Sequence, residues 1–238
     1  MLNTEELSTL LNEKLNTWLQ AQPKNLLQEA KAYSLLAGGK QVRGKLCLQG
    51  YQIFKDDAAT NDALHNFALA IEFLHTYTLV QDDSPSMDND QYRRGKLATH
   101  AKFGEAAALL ASDGLHSSAV ELTLVAATDE NLKTVVACQK ILFKTIGSEG
   151  TLYGQWLDLS CEGRIEDPVV KDLSLEEKQA MLKKIHRLKT GVLIEASVVI
   201  GATLAGATEE QIASLKTYGD NLGICFQITD DLLDETGT

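Results

Sequence analysis

The sequence predicts an all-α protein with one domain. Apolar residues recur at three- and four-residue spacing along most of the chain, alternating strand-like patterns are rare, and only three prolines occur. The 238 residues are 44% hydrophobic, which is enough for one substantial core and leaves little room for a second. We therefore expect residues 1–238 to form a single helical domain.

The first two helices are predicted from their caps and apolar stripes. The first begins near Asn3, with an acid in the capping-box position and a leucine-rich stripe behind it. A second helix is expected over residues 26–36 and ends at the glycine pair 38–39. Lys40 and Arg43 follow the glycines. Taken alone, this stretch is explained most simply as a helix end with a solvated basic turn.

A strongly apolar helix is predicted over residues 62–81, and acids follow at its end. A proline shortly afterwards cannot continue the helix, so Asp82 and Asp83 should lie at its C-terminus and Asp88 in the next loop. His75 precedes Asp82 by seven residues and lies close to the same face. A lone histidine on such a helix is more often a hydrogen-bonded core residue than a ligand, and only its relation to Asp82 suggests otherwise.

The segment 80–100 carries charges of both signs. Its four aspartates form an oxygen-rich cluster, which suits Mg²⁺ better than zinc. Arg93 and Arg94 follow and present forked donors that fit phosphate oxygens. By itself, the segment is explained equally well as an acidic helix end followed by a basic turn.

A second acidic cluster near the end of the chain changes that balance. A final helix is expected over residues 211–233, and it carries Asp230, Asp231 and Asp234. Asp230 and Asp234 share one helix face, where like charges repel and weaken a bare helix. Two such clusters on largely apolar helices indicate a metal ion bound between them rather than acids that are simply exposed to solvent.

The middle of the chain is also predicted to be helical, over residues 104–127 and over residues 131–159, with the latter helix broken by glycines. Asp113 lies in an apolar stretch, as do Gln155 and Asp158, which share one helix face. Buried acids need partners, so either a structural hydrogen bond or a site-facing role would explain these residues, and for Asp113 the structural role is favoured. A long loop over residues 161–173 precedes a helix that opens with a capping box. Lys189 interrupts the apolar run of that helix and is equally a phosphate ligand or a solvent-facing lysine.

Composition argues against several classes of function. The net charge of −11, without a long basic run, argues against extended contact with nucleic acid. No stretch reaches the length of a transmembrane segment and the N-terminus is unlike a signal peptide, so we expect a soluble, cytoplasmic protein. The four cysteines are scattered without a CxxC pair, which argues against a zinc ribbon and favours buried or partly buried thiols in a reducing compartment.

Six segments follow one another over nearly the whole chain: GGKQVRGK, LHTYTLVQDDSPSMDNDQYRRGK, KFGEAAALLASD, YGQWLDL, IHRLKTGVLIEA and GICFQITDDLLDETG. In this order and spacing they resemble the trans-polyprenyl diphosphate synthase family, specifically the bacterial farnesyl and geranylgeranyl diphosphate synthases. The resemblance implies an isoprenoid-synthase-type helical bundle around a deep central cavity, with the two acidic motifs facing each other across its mouth.

The resemblance also implies a set of site residues. Mg²⁺, as three ions when substrate is bound, would be held by Asp82, Asp83, Asp88, Asp230, Asp231 and Asp234. The allylic diphosphate would contact Arg93 and Lys189, with Thr190 and Gln227 nearby. Isopentenyl diphosphate would bind Lys40, Arg43, His75 and Arg94.

The implied reaction is head-to-tail prenyl transfer, in which isopentenyl diphosphate attacks the allylic carbocation of dimethylallyl or geranyl diphosphate. The departing diphosphate is the base usually proposed, so no side-chain base needs to be found. Tyr77 and Thr78 precede Asp82 by five and four residues, and the first motif carries a two-residue expansion. This pattern resembles bacterial farnesyl diphosphate synthases and predicts a C15 product first and C20 second. The resemblance also suggests a homodimer.

The chain departs from the family pattern at several positions. Gln41 stands where arginine is common, Gly44 and Leu97 where proline is common, and Gln81 where histidine often precedes the first aspartate. Loss of the arginine removes one positive charge beside the isopentenyl site. Family members also continue for several tens of residues after the second motif, so the domain is expected to lack or not to show its C-terminal helices.

Three rival interpretations remain. A non-catalytic or regulatory subunit of a heteromeric prenyltransferase would commonly have lost an aspartate motif, whereas both are present. A terpene cyclase of the same fold would carry Asn, Ser or Thr, and Glu in its second metal motif, where this chain has DDLLD. A plain helical scaffold leaves the recurring acids and cations unexplained.

Overall fold

The computed structural model describes the backbone of residues 1–236 and the side chains of residues 1–229 and of Leu232. Its helices are α1 (Thr4–Gln20), α2 (Leu26–Leu35), α3 (Val42–Gln52), α4 (Asp62–Asp82), α5 (Thr99–Phe103), α6 (Glu105–Val125), α7 (Leu132–Ile146), α8 (Thr151–Cys161), α9 (Leu175–His186), α10 (Val192–Leu204) and α11 (Glu209–Thr236). A short antiparallel hairpin, β1 (Tyr92–Arg93) and β2 (Lys96–Leu97), lies between α4 and α5. A 3₁₀ turn (Pro168–Val170) precedes α9, and a π-helical turn (Arg187–Gly191) joins α9 to α10. The all-α prediction is confirmed.

Helix α4 lies at the centre of the bundle. It packs against α6 on one side and against α3 and α10 on the others. Phe67, Phe73 and Leu74 are fully buried, as a helix that is apolar on most of its faces requires. The C-terminal turns of α4, which carry the predicted site residues, are therefore anchored by the main hydrophobic core.

Both predicted capping boxes are confirmed. The Asn3 side chain accepts hydrogen bonds from the first-turn amides of α1, and the Glu6 carboxylate accepts one from the Asn3 amide. Ser174 and Glu177 exchange the equivalent pair of hydrogen bonds at the start of α9. These reciprocal bonds satisfy amides that would otherwise lack an intrahelical partner.

The helix predicted over residues 131–159 is two helices, with a break at residues 147–150. Gly154 does not contribute to this break, because it lies inside α8. A β-carbon on Gly154 would lie 2.5 Å from the backbone nitrogen of Lys189. Glycine at this position lets α8 approach the π-helical turn closely, and that approach helps to form the site described below.

Other expectations also need correction. Asp113 is exposed rather than buried, because it lies on the outer face of α6. The thiol prediction holds for Cys47 and Cys138, whereas Cys161 and Cys225 are exposed. The sequence interpretation did not assign α3, whose glycines and polar residues obscure its apolar face, or the two-residue strands of the hairpin. No helix within the described residues has the length and apolar content needed to cross a membrane.

Candidate active site

The last three turns of α4 contribute to two regions of opposite charge. The acidic region contains Asp82, Asp88, Asp158 and Lys189. The basic region contains Lys40, Arg43, Glu72, His75 and Arg94. Because α4 supplies residues to both, the two regions have a fixed relation to the core.

A cavity of about 380 Å³ opens beside the acidic region. Asp82 and Lys189 lie at its charged end. Thr78, one helical turn before Asp82 on α4, also lines the cavity. Much of the remaining wall is apolar, from Met87, Leu152, Trp156, Leu159 and Ile165. A site of this shape accommodates a molecule with a charged head and a hydrocarbon tail.

Lys189 bridges two carboxylates from different helices. Its Nζ lies 2.7 Å from Asp158 Oδ2 on α8 and 3.9 Å from Asp82 Oδ2 on α4. Although burial opposes this, the two carboxylates raise the pKa of Lys189 above its ordinary value, so the ammonium form is favoured. The π-helical turn carries the lysine and widens the helix at this point, a deviation that often occurs at functional sites.

Asp82 ends α4, and Asp88 lies in the loop that follows. The Asp88 amide donates to the Asp82 carbonyl oxygen at 2.8 Å, so the loop returns its acid to the helix end. Burial, opposed by Lys189 and reinforced by Asp88, raises the pKa of Asp82 to about 6. Arg164, on the loop after α8, lies 4.0 Å from Asp88. A divalent cation would relieve the repulsion between these carboxylates, and their oxygens are the donors that Mg²⁺ prefers.

Asp83 lies on the opposite side of the helix end and is buried against Arg93. Arg93 Nε donates to its carboxylate at 2.8 Å, and the guanidinium also reaches Asp90 at 3.4 Å. Burial raises the pKa of Asp83, although the arginine opposes this. In this conformation Arg93 already engages Asp83 Oδ1.

Tyr77 and Thr78, the two residues predicted to control product length, have different surroundings. Tyr77 is buried, and its ring lies 5.4 Å from that of His116 on α6. Thr78 lines the cavity, while its hydroxyl donates to the His75 carbonyl oxygen at 2.8 Å. Thr78 therefore borders the cavity directly, whereas the ring of Tyr77 packs against α6.

In the basic region, Arg43 and His75 form a hydrogen bond, with Nη1 and Nε2 separated by 3.2 Å. A guanidinium can only donate, so Nε2 accepts and the imidazole carries its proton on Nδ1. Burial and the neighbouring arginines lower the pKa of His75 well below its ordinary value, which agrees with a neutral ring. The side chain of Arg43 is itself largely buried.

Arg94 joins this region through the hairpin turn. It adopts a left-handed backbone conformation (φ 54°) and donates to the Gly38 carbonyl oxygen. Gly39 lies against its guanidinium, where a β-carbon would collide with it. Lys40 is exposed at the edge of the region. The structure thus brings together Arg43, His75 and Arg94, three of the four residues predicted to bind isopentenyl diphosphate.

The second predicted acidic cluster lies outside the described side chains. Asp230, Asp231 and Asp234 fall within the backbone of α11, and nothing further is described for them. Gln227 precedes them and is half-buried, as is Thr190 beside Lys189. Among the described side chains, no group of three or more His, Cys, Asp or Glu is arranged to hold a metal ion.

Comparisons with known proteins agree with this architecture. The sequence profile described as polyprenyl synthetase matches residues 24–238. The farnesyl diphosphate synthase of Micrococcus luteus is 39% identical over 237 residues, a match that covers 100% of this chain and 75% of the relative. The chain belongs to the polyprenyl synthetase family.

Other family members bear different names. A chloroplastic geranylgeranyl pyrophosphate synthase from Catharanthus roseus is 41% identical over 88% of this chain, and the chain spans 55% of that relative's length. The crystal structure of a geranyltransferase from Legionella pneumophila superposes with a TM-score of 0.82 at 34% identity, covering 97% of this chain and 78% of that one. Both the isoprenoid synthase fold and the family assignment are therefore established.

The structure also brings into the candidate site residues that were not among the predicted ligands. Asp158 holds Lys189, Arg164 lies beside Asp88, and Met87 contacts Gln155 with 3.8 Å between sulfur and Nε2. The one sequence signal for the α8 residues was that Gln155 and Asp158, three apart in an apolar helix, share a face. The role of Arg164 depends on a loop conformation and gave no such signal.

Proposed function

We propose that this protein condenses isopentenyl diphosphate with an allylic diphosphate, dimethylallyl or geranyl, to give a short-chain product that is chiefly farnesyl diphosphate. The observation that carries the proposal is the pair of oppositely charged regions on α4, one of which opens into a cavity with an apolar wall. Such a site suits two anionic substrates, one of which inserts a hydrocarbon tail. Membership of the polyprenyl synthetase family supports the same reaction class.

In this proposal the acidic region binds the allylic diphosphate together with Mg²⁺. Asp82 and Asp88 would hold the metal, joined by Asp230, Asp231 and Asp234, with Asp83 as a further ligand once it releases Arg93. Bound Mg²⁺ neutralises the diphosphate oxygens and makes them a better leaving group. Up to three ions would be held with substrate present.

The protein's own cations complete this arrangement. Lys189 and Arg93 donate to the diphosphate oxygens, with Thr190 and Gln227 at the edge of the group. As the bond between the allylic carbon and oxygen breaks, these donors stabilise the negative charge that develops. The apolar cavity wall excludes water from the allylic carbocation.

The basic region binds isopentenyl diphosphate through Lys40, Arg43, His75 and Arg94. Its double bond then attacks the allylic carbon, a new carbon–carbon bond forms, and the departing diphosphate takes the proton that is lost. Holding both substrates against one rigid helix supplies the orientation that this step needs. Neutral His75 would act as a hydrogen-bond donor to its substrate through Nδ1.

The proposed product length depends on Tyr77. Its ring would stop the growing tail behind Thr78, which favours C15. A C20 product is the second candidate, because relatives are named both farnesyl and geranylgeranyl synthases. Tyr77→Ala should shift the products towards longer chains, as measured by chromatography of extracted prenyl alcohols. An unchanged product length, beside a Tyr92→Ala control on the exposed hairpin, would remove this assignment.

We further propose a homodimer that acts in the cytoplasm. Leu109, Leu110, Leu124 and Val125 on α6 are all more than half exposed, which is unusual for large apolar side chains clustered on one helix. A second copy that packs on this face would cover them. The scattered, free cysteines fit a reducing compartment. Light scattering at micromolar concentration should give twice the 26.0 kDa chain mass, and a monomer would contradict the dimer.

The function is tested by incubating the protein with isopentenyl diphosphate, geranyl diphosphate and Mg²⁺. Elongation that stops on addition of EDTA and returns with Mg²⁺ is the expected result. A folded protein that shows no metal-dependent elongation would overturn the proposal and would favour a non-catalytic subunit.

A further inference from the structure

Glu72 is a half-buried carboxylate that belongs to neither proposed ligand set. Its Oε1 accepts a hydrogen bond from the backbone nitrogen of Gly44 at 2.7 Å. Gly44 is the third residue of α3, and this helix has no side-chain cap of its own because Gln41 adopts a left-handed conformation and makes no capping bond. Glu72, from the neighbouring α4, thus satisfies a first-turn amide that would otherwise lack a partner.

The contact depends on glycine at position 44. A β-carbon there would lie 3.0 Å from Glu72 Cγ and 3.2 Å from the Ala68 carbonyl oxygen, so α3 and α4 could not approach as closely. Proline, the residue common at this position in the family, has no N–H to donate. This hydrogen bond therefore follows from the chain's departure from the family pattern.

Glu72 also lies among cations. Its carboxylate interacts electrostatically with Arg43, Arg94 and Lys45, and these groups together with the Gly44 amide oppose the effect of burial, which raises the pKa of Glu72. A carboxylate that loses part of its hydration is stabilised when it is paired and hydrogen-bonded. The position of Glu72 is explained if it holds Arg43 and the Gly44 amide in place.

We propose that Glu72 is a positioning residue, which fixes the first turn of α3 and the Arg43 guanidinium so that they meet the diphosphate of isopentenyl diphosphate. This inference rests on the proposed function. Glu72 would not touch the substrate, because two anions repel. It acts through the Arg43–Gly44 peptide, whose amide it binds, and through the charge that it sets beside the guanidinium.

Glu72→Gln tests the inference because the amide oxygen of glutamine can still accept the Gly44 hydrogen bond while the charge is lost. We expect KM for isopentenyl diphosphate to rise about tenfold, the loss typical of a disturbed charge-assisted hydrogen bond. The kcat and the KM for geranyl diphosphate should stay within about twofold of wild type, because the acidic region is untouched. Glu130→Gln, an exposed acid in the turn before α7, is the matched control and should change none of these values.

A double-mutant cycle with Arg43→Ala separates positioning from general stability. If Glu72 acts through Arg43, the double variant should have the same KM for isopentenyl diphosphate as Arg43→Ala alone. An unchanged KM in Glu72→Gln, equal losses for both substrates, or additive losses in the cycle would overturn the inference while leaving the proposed function intact.

If Glu72→Gln does not fold, titration of wild type and Gly44→Ala with isopentenyl diphosphate decides, because the added methyl displaces Glu72 and an unchanged Kd would contradict the inference. A wild-type protein that neither binds nor elongates isopentenyl diphosphate would refute the function itself.

Discussion

The acidic and basic regions meet α4 only a few residues apart, yet they are organised in opposite ways. In the acidic region, Asp82, Asp88 and Asp158 surround the single ammonium of Lys189, and burial raises the pKa of Asp82 to about 6. In the basic region, cations surround the carboxylate of Glu72, and burial together with the neighbouring arginines lowers the pKa of His75.

Burial disfavours the charged form of a side chain in both regions. Each region would therefore be stabilised by a bound ion of the opposite charge. The acidic region gains most from an added cation, and the basic region gains most from an added anion. One helix can therefore present two diphosphates with different requirements: one that arrives with metal and one that is bound by protein cations alone. The following variants test this difference, beginning with the largest expected effect.

Asp82→Asn should separate activity from stability. Loss of this proposed metal ligand should reduce kcat by about a thousandfold. The metal-free fold should become more stable at pH 7.5, because a carboxyl whose pKa rises from 3.8 to about 6 on folding destabilises the folded state above that pH by at most ~3 kcal/mol. Thermal unfolding without metal should show Tm higher by a few degrees. A lower Tm than that of an Asp129→Asn surface control would contradict this account.

Replacing one cation in each region should affect different substrates. Lys189→Ala should lower kcat/KM for the allylic diphosphate by about a hundredfold, since it removes a charged donor to the leaving group. Arg43→Ala should raise KM for isopentenyl diphosphate by about ten- to fiftyfold and change the allylic KM little. Initial rates with each substrate varied in turn measure both effects. If each variant weakened both substrates equally, the division into two regions would be wrong.

The smallest effect concerns His75 and pH. The folded protein keeps this ring neutral, whereas the unfolded chain takes up a proton below about pH 6.5. The unfolded state then binds more protons, so the free energy of unfolding decreases as pH falls from 7.5 to 5.5. His65 has a lowered pKa and contributes in the same direction. Urea titrations should therefore show a smaller decrease in His75→Gln than in wild type. An identical pH dependence would mean that His75 is not held neutral.

The sequence was a good guide wherever a local pattern determines structure. Helical periodicity predicted the fold class, and the capping boxes at Asn3 and Ser174 appear where the sequence placed them. The convergence of Arg43, His75 and Arg94 also agrees with the resemblance, although they come from three separate segments.

Features that depend on packing between elements were not predictable in this way. Gly154 reads as a helix break, but its role is to admit the backbone of the π-helical turn. The bond from Gly44 to Glu72 requires two helices at a particular separation. Asp113 was expected in the core because its neighbours are apolar, whereas those neighbours include the exposed leucines of α6. For Gly154 and Gly44 the deciding partner is distant in sequence.

The central claim, that only one of the two diphosphate sites depends on metal, is tested most directly by calorimetric titration with each substrate alone. Geranyl diphosphate should bind with a Kd at least about a hundredfold weaker in EDTA than in Mg²⁺, because the acidic region repels an anion without metal. Isopentenyl diphosphate should bind with a Kd that changes by less than about threefold, since protein cations suffice for it. An equal metal dependence for the two substrates would contradict the account.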